Sequence, residues 1–379
     1  MKKIVYILES LACTGGVERI VTEKANYLAE HYGYDVSLIV CTQRPDQPNA
    51  FQLSKTVKQY YLSIPLYSQY RYKYPKRLWK KYKINKNLNT SISEQIHQIK
   101  PDIIIGIAHF RANNICDINY NAKIIIECHE ARLYTHSGMS QHKSTYRKLY
   151  KNFFRIKYFK TIEKKADVVV TLTEGDKRLW SKAKRTVVIP NFSNMPIHKM
   201  STCDTKRIIA VGRLSWEKGY DRLLKIWKNI DKKYPNWQLD IFGEGELESY
   251  LRDIVTKDNL NNVGIHKFTN NISDEYSKSS IFVMTSYYEG FPLVILEALK
   301  HGVPCIAFNC PFGPASLIED NECGFLIEDN NYEQFYEKLS LLMIDEHLRK
   351  LFSDTAIKRS EAFTIDLIME QWKTLFESL

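Results

Sequence analysis

Runs of consecutive apolar residues recur along the whole chain and are separated by segments of helical length. Most runs consist of Val, Ile and Leu without alternation, which is typical of strands buried on both faces of a sheet. The predicted strands are 4–8, 36–40, 102–108, 123–128, 167–172 and 186–190 in the first half, and 207–212, 239–243, 281–286, 304–308 and 324–327 in the second.

The alternation of strands with helix-length segments predicts parallel sheets joined by right-handed crossovers. The pattern restarts after a stretch without strands at about 191–205. The sequence therefore predicts two α/β domains, 1–191 and 206–379, joined by a linker at 192–205. The length of 379 residues agrees with two domains of ordinary size. The last helix could pack on either domain, including back on the first.

The composition is that of an ordinary globular protein, with 44% hydrophobic and 26% charged residues. No run of 18 apolar residues occurs, so no transmembrane helix is predicted. The apolar run 4–8 ends at Glu9 and is too short for the hydrophobic region of a signal peptide. These features together predict a cytoplasmic protein whose first apolar run is a buried strand.

The eight cysteines show no pattern of a disulfide framework or a metal site. None form a C-x-x-C pair, and none lie near histidines at the spacing of zinc ligands. Without an export signal, we expect free thiols in a reducing compartment and no bound metal. A single catalytic cysteine stays open as an alternative.

Ligands of open parallel sheets bind beyond the carboxyl ends of the strands, so the loops after the predicted strands are the candidate sites. After the first strand, Gly15 and Gly16 precede a helix that is predicted to begin near Val17. Paired glycines let a ligand approach the backbone closely, and a helix N-terminus attracts anions. A simple tight turn is the alternative. The absence of a G-x-G-x-x-G pattern disfavours a nicotinamide enzyme.

Two cations follow the predicted strand 207–212. Arg213 and Lys218 precede Gly219 at the start of the next predicted helix. There a planar guanidinium and a compact ammonium could bind a diphosphate. Two solvated surface cations are the alternative, and Glu217 could pair with either of them.

Two glutamates, Glu289 and Glu297, stand eight positions apart around a helix that is predicted to begin near Leu293, after Pro292. A helix dipole stabilises nearby carboxylates by roughly 0.3–1 kcal/mol, so a structural role is one interpretation. The helix is otherwise apolar, however, and a buried acid there needs a partner. The ribose O2′ and O3′ hydroxyls would be such a partner for Glu297. Backbone N–H groups of 291–294 could face phosphate or sugar oxygens.

Four segments together resemble the retaining glycosyltransferases of family 4, which have the GT-B fold. The segments are GGVER (15–19), GRLSWEKG (212–219), GEGEL (243–247) and EGFPLVILE (289–297). The E-x7-E pattern of that family is complete, and the resemblance extends to GFLIED (324–329). It implies two Rossmann-like α/β domains facing each other across a cleft, with the donor nucleotide mainly on the second domain and the acceptor mainly on the first. It also implies activity without a bound metal or cofactor.

The resemblance implies a role for each candidate residue. Arg213 and Lys218 would bind the donor diphosphate and stabilise the leaving group. Glu297 would bind the ribose, and Glu289 would hold a hydroxyl of the transferred sugar. The predicted donor site comprises Gly15, Gly16, Arg213, Lys218, Glu289, Gly290, Phe291, Pro292, Leu293 and Glu297.

A histidine completes the set of catalytic residues that the resemblance implies. His129, after strand 123–128, stands where many members of the family have a histidine that reaches the sugar, and Glu127 and Glu130 are its acidic neighbours. His109 competes for this role, and a strand-end histidine bonded to the backbone is the structural alternative. The predicted catalytic residues are Arg213, Lys218, Glu289 and His129.

The implied reaction is the transfer of a hexose or N-acetylhexosamine with retention of configuration. The bond to the nucleotide breaks largely first, and the acceptor hydroxyl then attacks the same face of the sugar. No carboxylate nucleophile is needed, unlike in the glycosidases with paired acids. UDP is favoured over GDP on family frequency. The segment 310–327 resembles the corresponding region of hexose and N-acetylhexosamine transferases.

The formal net charge of +11 is unevenly distributed, because residues 1–200 carry +19 and the remainder carries −8. Segment 70–86 contains eight cations and no acid, and segment 142–165 contains nine cations and one acid. Both segments are interleaved with aromatic residues. Such segments suit an anionic membrane surface, a nucleic acid or a solvated face.

The resemblance favours the membrane, because family members in bacterial envelope and capsule pathways often act on lipid-linked acceptors. We expect peripheral attachment to the inner face of the cytoplasmic membrane, a lipid-linked or polysaccharide acceptor, and no nucleic-acid partner. The predicted membrane-binding residues are Arg71, Lys73, Lys76, Arg77, Trp79, Lys80, Lys81, Lys83, Arg147, Lys148, Lys151 and Arg155.

Three other functions compete with this hypothesis. A nucleotide-sugar 2-epimerase of the same fold would show no dependence on an acceptor. A basic nucleic-acid-binding protein would explain the charge of the first half but not the cations and carboxylates at strand ends. An inactive scaffold would have to retain the complete motif set without using it.

Overall fold

The structure, a computed structural model, describes residues 2–134 and 145–379, without the side chains of 145–152. The chain divides into two compact units. The first unit is Met1–Ile189 together with Met369–Leu379, and the second is Pro190–Ile368.

The first unit is built on a parallel sheet. Its strands are Lys3–Leu8 (β1), Asp35–Val40 (β2), Lys58–Tyr61 (β3), Ile103–Ile107 (β4), Lys123–Cys128 (β5), Val168–Thr171 (β6) and Thr186–Val188 (β7). Its helices are Gly16–Glu30 (α1), Lys76–Ile99 (α2), Ala112–Ile115 (α3), Thr145–Lys165 (α4) and Glu174–Lys177 (α5). Across the described residues, the order of the strands in the sheet is β3-β2-β1-β4-β5-β6-β7.

The second unit is built on another parallel sheet. Its strands are Arg207–Val211 (β8), Gln238–Phe242 (β9), Val263–His266 (β10), Ile281–Met284 (β11), Cys305–Phe308 (β12) and Gly324–Ile327 (β13), in the order β10-β9-β8-β11-β12-β13. Its helices are Tyr220–Lys233 (α6), Glu248–Lys257 (α7), Ile272–Ser277 (α8), Leu293–Lys300 (α9), Tyr332–Ile344 (α10) and Glu346–Ser360 (α11). A last helix, α12, spans Ile365–Glu377.

The prediction of two Rossmann-like parallel sheets is confirmed, and each predicted apolar run forms a strand. The sequence prediction missed β3 and β10, which lie at the outer edges of the two sheets. β3 has the sequence KQYY and β10 has VGIH, and most of their residues are only partly buried. A strand that is less covered at an edge does not need a continuous apolar run, so the apolar pattern does not mark it.

The central strands are apolar on both faces because helices cover both sides of each sheet. In the first unit, Val5, Ile7 and Ile104 belong to one fully buried cluster. In the second, Leu223 and Trp227 of α6 pack against the strands in the same way. Burying one such side chain contributes roughly 1.5–3 kcal/mol, so these clusters hold the strand ends in fixed positions.

Each sheet has one point at which the strand order reverses. In the first unit β1 pairs with β4, and in the second β8 pairs with β11, while β2 and β9 lie on the other side. The connections from two such strands run in opposite directions and leave a crevice at the carboxyl edge of the sheet, where ligands bind in open α/β folds. Gly15 and Gly16 follow β1, Arg213 and Lys218 follow β8, and Glu289 follows β11.

Helix α12 begins among residues of the second unit, and its residues from Met369 onward belong to the first. Lys2 Nζ donates a hydrogen bond to the Phe376 carbonyl. The Tyr32 hydroxyl donates to Glu370 Oε2 over 3.1 Å. These bonds attach the end of the chain to the residue before β1 and to the segment that follows α1.

Candidate active site

The loops after β8 and β11 are held together in the second unit. Thr285 Oγ1 donates to the Gly219 carbonyl over 2.8 Å, and the Tyr287 amide donates to the Glu217 carbonyl over 2.8 Å. Gly219 has a left-handed backbone with φ of +62°, and a Cβ atom there would lie 2.2 Å from the Thr285 carbonyl oxygen. Glycine is therefore required at 219 for both conformation and space.

Lys218 and Glu289, predicted from separate motifs, form an ion pair across these loops. Lys218 Nζ lies 2.8 Å from Glu289 Oε1, and Ser286 Oγ donates to the same oxygen over 2.7 Å. Glu289 is buried, with 8% of its surface exposed. A buried carboxylate is costly without partners, so the ammonium and the hydroxyl explain how this acid is tolerated.

Gly313, in the loop after β12, packs directly behind Glu289. A Cβ atom at 313 would lie 2.6 Å from Glu289 Cβ and 2.7 Å from Pro292 Cδ. The loop therefore restricts the position of the carboxylate from behind.

Glu297 lies inside α9 and is also buried, and a tyrosine of α8 contacts it. The Tyr276 hydroxyl donates to Glu297 Oε2 over 3.3 Å and also lies 3.2 Å from the Val294 carbonyl. Burial, and then the Glu297 charge, raise the pKa of Tyr276, so its hydroxyl stays a donor. The Tyr276 hydroxyl is thus a protein donor to this carboxylate.

His301, the C-cap residue of α9, forms a hydrogen bond to the same helix. Its Nδ1 donates to the Glu297 carbonyl over 2.7 Å, and its ring stacks on Tyr276 with 5.3 Å between centroids. Burial lowers the pKa of His301. A neutral imidazole therefore bonds to the backbone of α9 at Glu297.

In the first unit, His129 lies just beyond β5 beside an acid of that strand. His129 Nε2 is 3.0 Å from Glu127 Oε2, and Lys24 of α1 forms an ion pair with the same carboxylate oxygen. All three side chains are buried. The sequence prediction named Glu127 only as a neighbour of His129 and did not include Lys24.

Comparison with known proteins identifies the family. Residues 14–194 match the family model described as "Glycosyltransferase Family 4", and residues 199–359 match the one described as "Glycosyl transferases group 1". A relative from Haemophilus influenzae named "Uncharacterized glycosyltransferase" is 33% identical over 380 residues, which cover 98% of this chain and 99% of the relative. The chain belongs to glycosyltransferase family 4.

Two further comparisons bear on this family 4 glycosyltransferase. The amylovoran biosynthesis glycosyltransferase AmsD of Erwinia amylovora is 35% identical over 223 residues, which cover 55% of this chain and 62% of AmsD. The crystal structure of S. aureus TarM in complex with fondaparinux, alpha-GlcNAc-glycerol and UDP superposes with a TM-score of 0.77 at 17% identity, covering 99% of this chain and 100% of TarM. The predicted GT-B fold class of the glycosyltransferase is thereby confirmed.

Arg213 of the glycosyltransferase is exposed just after β8. Its guanidinium forms no ion pair within the part of the chain that the structure describes. Glu217 does not pair with it among the described residues; Glu217 Oε1 accepts a hydrogen bond from Ser215 Oγ at 2.5 Å. Of the predicted diphosphate ligands, the fold brings Lys218 to Glu289 and leaves Arg213 at the surface.

The segment 290–293 leads from the loop into α9. Pro292 is the N-cap residue, and Leu293 is the first residue of the helix, as predicted. Phe291 is buried, and its ring lies 5.7 Å from that of Phe363. The Phe291 side chain thus anchors the segment in the core, while Gly290 and Leu293 are only partly buried.

In the loop after β1 of the glycosyltransferase, neither backbone conformation nor space requires glycine at position 15. Gly16 begins α1, and Gly15 precedes it with an extended backbone, φ −97°. Most residues can adopt that conformation. A Cβ atom at 15 would meet only the carboxylate of Glu18, at 2.1 Å, which is the far end of a flexible side chain.

The two candidate histidines of the glycosyltransferase differ in their surroundings. His109 follows β4 and is half-buried. His129 is buried and is held by the ionised pair of Lys24 and Glu127. The contact with the Glu127 carboxylate gives the His129 ring a defined orientation.

The basic segments of the glycosyltransferase lie partly on α2 and α4. Arg77 stacks over Tyr70 at 4.3 Å, and Lys83 lies 3.9 Å over Trp79. The aromatic rings Tyr70, Tyr74, Trp79, Tyr82 and Phe153 are all more than half exposed. The side chains of Arg147, Lys148 and Lys151 lie outside the described residues. None of the described helices is both long and apolar enough to cross a bilayer.

The sequence analysis did not name three residues that hold the candidate carboxylates, Ser286, Tyr276 and Lys24. Ser286 stands three positions before Glu289, so a short-range search around the motif would have found it. Tyr276 and Lys24 reach their carboxylates from other helices, 21 and 103 positions away in the chain. Only the packing of those helices brings them to the site.

Proposed function

We propose that this glycosyltransferase moves a hexose or N-acetylhexosamine, with retention of configuration and without a metal, from a UDP-sugar to a lipid-linked or polysaccharide acceptor in cell-envelope glycan synthesis. The observation that carries the proposal is the Lys218–Glu289 ion pair at the β8–β11 reversal point, with Glu297 one helix turn into α9. Lys218 would bind the diphosphate, Glu289 a hydroxyl of the sugar, and Glu297 the ribose.

The donor would bind with its diphosphate toward the cations. Lys218 is already fixed beside Glu289, and the exposed Arg213 guanidinium is available to a phosphate oxygen. The N-terminus of α9 adds backbone N–H groups and a positive dipole. The UDP bound in the TarM crystal structure supports uridine as the base.

In the proposed reaction, the bond between the anomeric carbon and the β-phosphate oxygen breaks, and its electron pair goes to that oxygen. Lys218 and Arg213 stabilise the charge that develops there, which is the contribution a metal would otherwise make. The acceptor hydroxyl attacks the same face, forms the new C–O bond and gives its proton to the leaving phosphate. Glu289 would hold a hydroxyl of the sugar during this step.

Two comparisons support an envelope glycan as the product. AmsD acts in amylovoran biosynthesis, and the TarM complex contains alpha-GlcNAc-glycerol. The exposed aromatic and cationic side chains of α2 would place the enzyme on an anionic membrane surface, at the inner face of the cytoplasmic membrane.

The test is a thermal-shift panel of UDP- and GDP-sugars, followed by transfer assays with lipid-linked acceptors. We expect a UDP-sugar to raise the melting temperature and to be consumed only when an acceptor is present. NMR of the product should show the anomeric configuration of the donor. Consumption without an acceptor, with change at C2, would identify an epimerase instead.

Lys218→Ala and Arg213→Ala should each lower turnover while leaving the fold intact. A charge-assisted hydrogen bond is worth roughly 1.5–3 kcal/mol, which corresponds to a loss of about ten- to a hundredfold. Lys228→Ala, which removes an exposed partner of Asp258 in the same unit, is the matched control and should change nothing. Wild-type rates in the folded Lys218 variant would remove that residue from the mechanism.

A further inference from the structure

A buried polar cluster in the first unit connects helix α1 to the histidine beyond β5. Lys24 and His129 both contact Glu127 Oε2, the ammonium as an ion pair and the imidazole through Nε2 at 3.0 Å. Lys24 is 2% exposed and Glu127 is 3% exposed.

Two aromatic rings also contact the Lys24 ammonium. Lys24 Nζ lies 4.0 Å from the ring centroid of Trp372 and 5.5 Å from that of Tyr6. Trp372 belongs to the part of α12 that packs with the first unit. The cation is therefore held by cation–π contacts as well as by the carboxylate.

The charge state of Glu127 follows from its burial and its two neighbours, Lys24 and His129. Burial favours the neutral form of Glu127, but the Lys24 charge and the His129 hydrogen bond outweigh it and lower the pKa of Glu127. Burial also lowers the pKa of Lys24, and Glu127 opposes that effect. A carboxylate with a depressed pKa beside an ammonium is ionised at neutral pH.

An ionised carboxylate can only accept hydrogen bonds, so His129 Nε2 must carry the proton that it shares with Glu127. In the neutral ring Nδ1 then has the free lone pair. Nδ1 of His129 is buried, and the described residues give it no hydrogen-bond partner. Buried polar atoms of this kind require a partner, which a ligand hydroxyl can supply.

A buried ion pair is weak evidence of a role in stability, because two apolar side chains of similar size often stabilise a fold at least as well. We propose that Lys24 is a positioning residue that, through Glu127, fixes the Nε2–H tautomer and ring orientation of His129, leaving Nδ1 to accept a hydrogen bond from a hydroxyl of the transferred sugar. The proposal rests on the proposed function, since it assigns the sugar-side partner of that same reaction.

The first test reads the tautomer and needs no substrate. The full-length chain is labelled with 15N-histidine and studied by long-range 1H–15N correlation NMR at pH 8, with His129→Gln identifying the signal. We expect a protonated Nε2 and an unprotonated Nδ1 in the wild type. In Lys24→Met the buried Glu127 loses the ammonium that keeps it ionised, so its protonated form can donate to Nε2 and the preference should be lost. A proton on Nδ1 in the wild type, or an unchanged pattern in Lys24→Met, would overturn the proposal.

Lys24→Met leaves Glu127 buried without its cation, so the variant is at risk of misfolding. The double variant Lys24→Met/Glu127→Gln removes both charges together and is the folded alternative. We expect it to melt at a higher temperature than Lys24→Met, yet to show a mixed tautomer at His129. A double variant that retains the wild-type tautomer would contradict the role of the ion pair.

The second test is kinetic and uses UDP-GlcNAc and UDP-glucose as donors. We expect Lys24→Met and the double variant to lower kcat at least tenfold, with the KM for the donor changed less than threefold. Lys58→Met, which removes an exposed partner of Asp35 in the same unit, should match the wild type. Normal kcat in the folded variants would show that Lys24 is only structural.

The two tests separate this proposal from the proposed function. If the wild type turns over no nucleotide sugar, the proposed function fails, and the NMR experiment still decides whether Lys24 sets the tautomer. If the wild type is active and the tautomer is independent of Lys24, the positioning role fails alone.

Discussion

At the scale of single residues, the two acids of the E-x7-E pattern are each paired with protein groups. Glu289 accepts from Lys218 and Ser286, and Glu297 accepts from Tyr276. Burying a carboxylate without such donors would cost several kcal/mol, so these partners make the acids compatible with a folded unit. A sugar or ribose hydroxyl would then donate to a carboxylate that already accepts hydrogen bonds from the protein.

Tyr276→Phe should weaken nucleotide binding. The change removes a donor from Glu297 and leaves its orientation less restricted, and a net hydrogen bond is worth about 1 kcal/mol, or roughly fivefold in affinity. Isothermal titration calorimetry with UDP measures the effect. Tyr336→Phe, on α10 of the same unit, is the control and should bind as the wild type does. Equal affinities for the two variants would show that Tyr276 does not support the ribose site.

At the scale of secondary-structure elements, most of α12 packs with the first unit, although it stands at the end of the chain. Its end carries Trp372, which packs over the Lys24 ammonium, and Phe376, whose carbonyl accepts from Lys2. Trp372 is 3% exposed, so its ring belongs to the core of the first unit. The last helix of the chain thus contributes an aromatic ring to the buried Lys24–Glu127 cluster of the first unit.

Trp372→Ala should destabilise the first unit strongly. Truncating a buried tryptophan costs about 3–5 kcal/mol, and here it also exposes the buried ammonium. Urea unfolding followed by far-UV circular dichroism would show a transition at lower denaturant concentration. Leu367→Ala, on the same helix at a position that is 55% exposed, should leave the midpoint nearly unchanged. A similar midpoint for both variants would mean that α12 does not stabilise the first unit.

At the scale of the whole molecule, the charge is divided between the halves of the chain, with +19 on residues 1–200 and −8 on the rest. The exposed aromatic rings of α2 lie among the cations, and several cations stack on them. Rings of this kind can enter the headgroup region while the cations contact anionic lipids.

Flotation with vesicles that contain phosphatidylglycerol should recover the wild type, and neutral vesicles should not. Replacing Lys73, Arg77, Lys80 and Lys81 by Ser should abolish flotation, because each cation near an anionic surface contributes about 1 kcal/mol. The matched control replaces four cations of α6, Lys225, Lys228, Lys232 and Lys233, and should float normally. Salt-dependent binding of random oligonucleotides in place of vesicles would indicate a nucleic-acid partner.

The sequence by itself determined the buried strands, because a strand covered on both faces must be apolar at every position, and the runs at 4–8 and 102–108 show this directly. It also determined which loops carry the motifs, since those loops follow the strands. It did not mark β3 or β10, whose position at a sheet edge removes the need for a continuous apolar run.

Only the tertiary structure decided which side chains hold the motif residues. Tyr276 meets Glu297 because α8 packs beside α9, and Lys24 meets Glu127 because α1 lies against the sheet. Such contacts join residues that are remote in the chain, and a local pattern of apolar and polar positions contains no information on them. The physical reason is that a buried charge needs a partner close to it in the folded core. The spacing of two residues along the chain does not determine how close they are in that core.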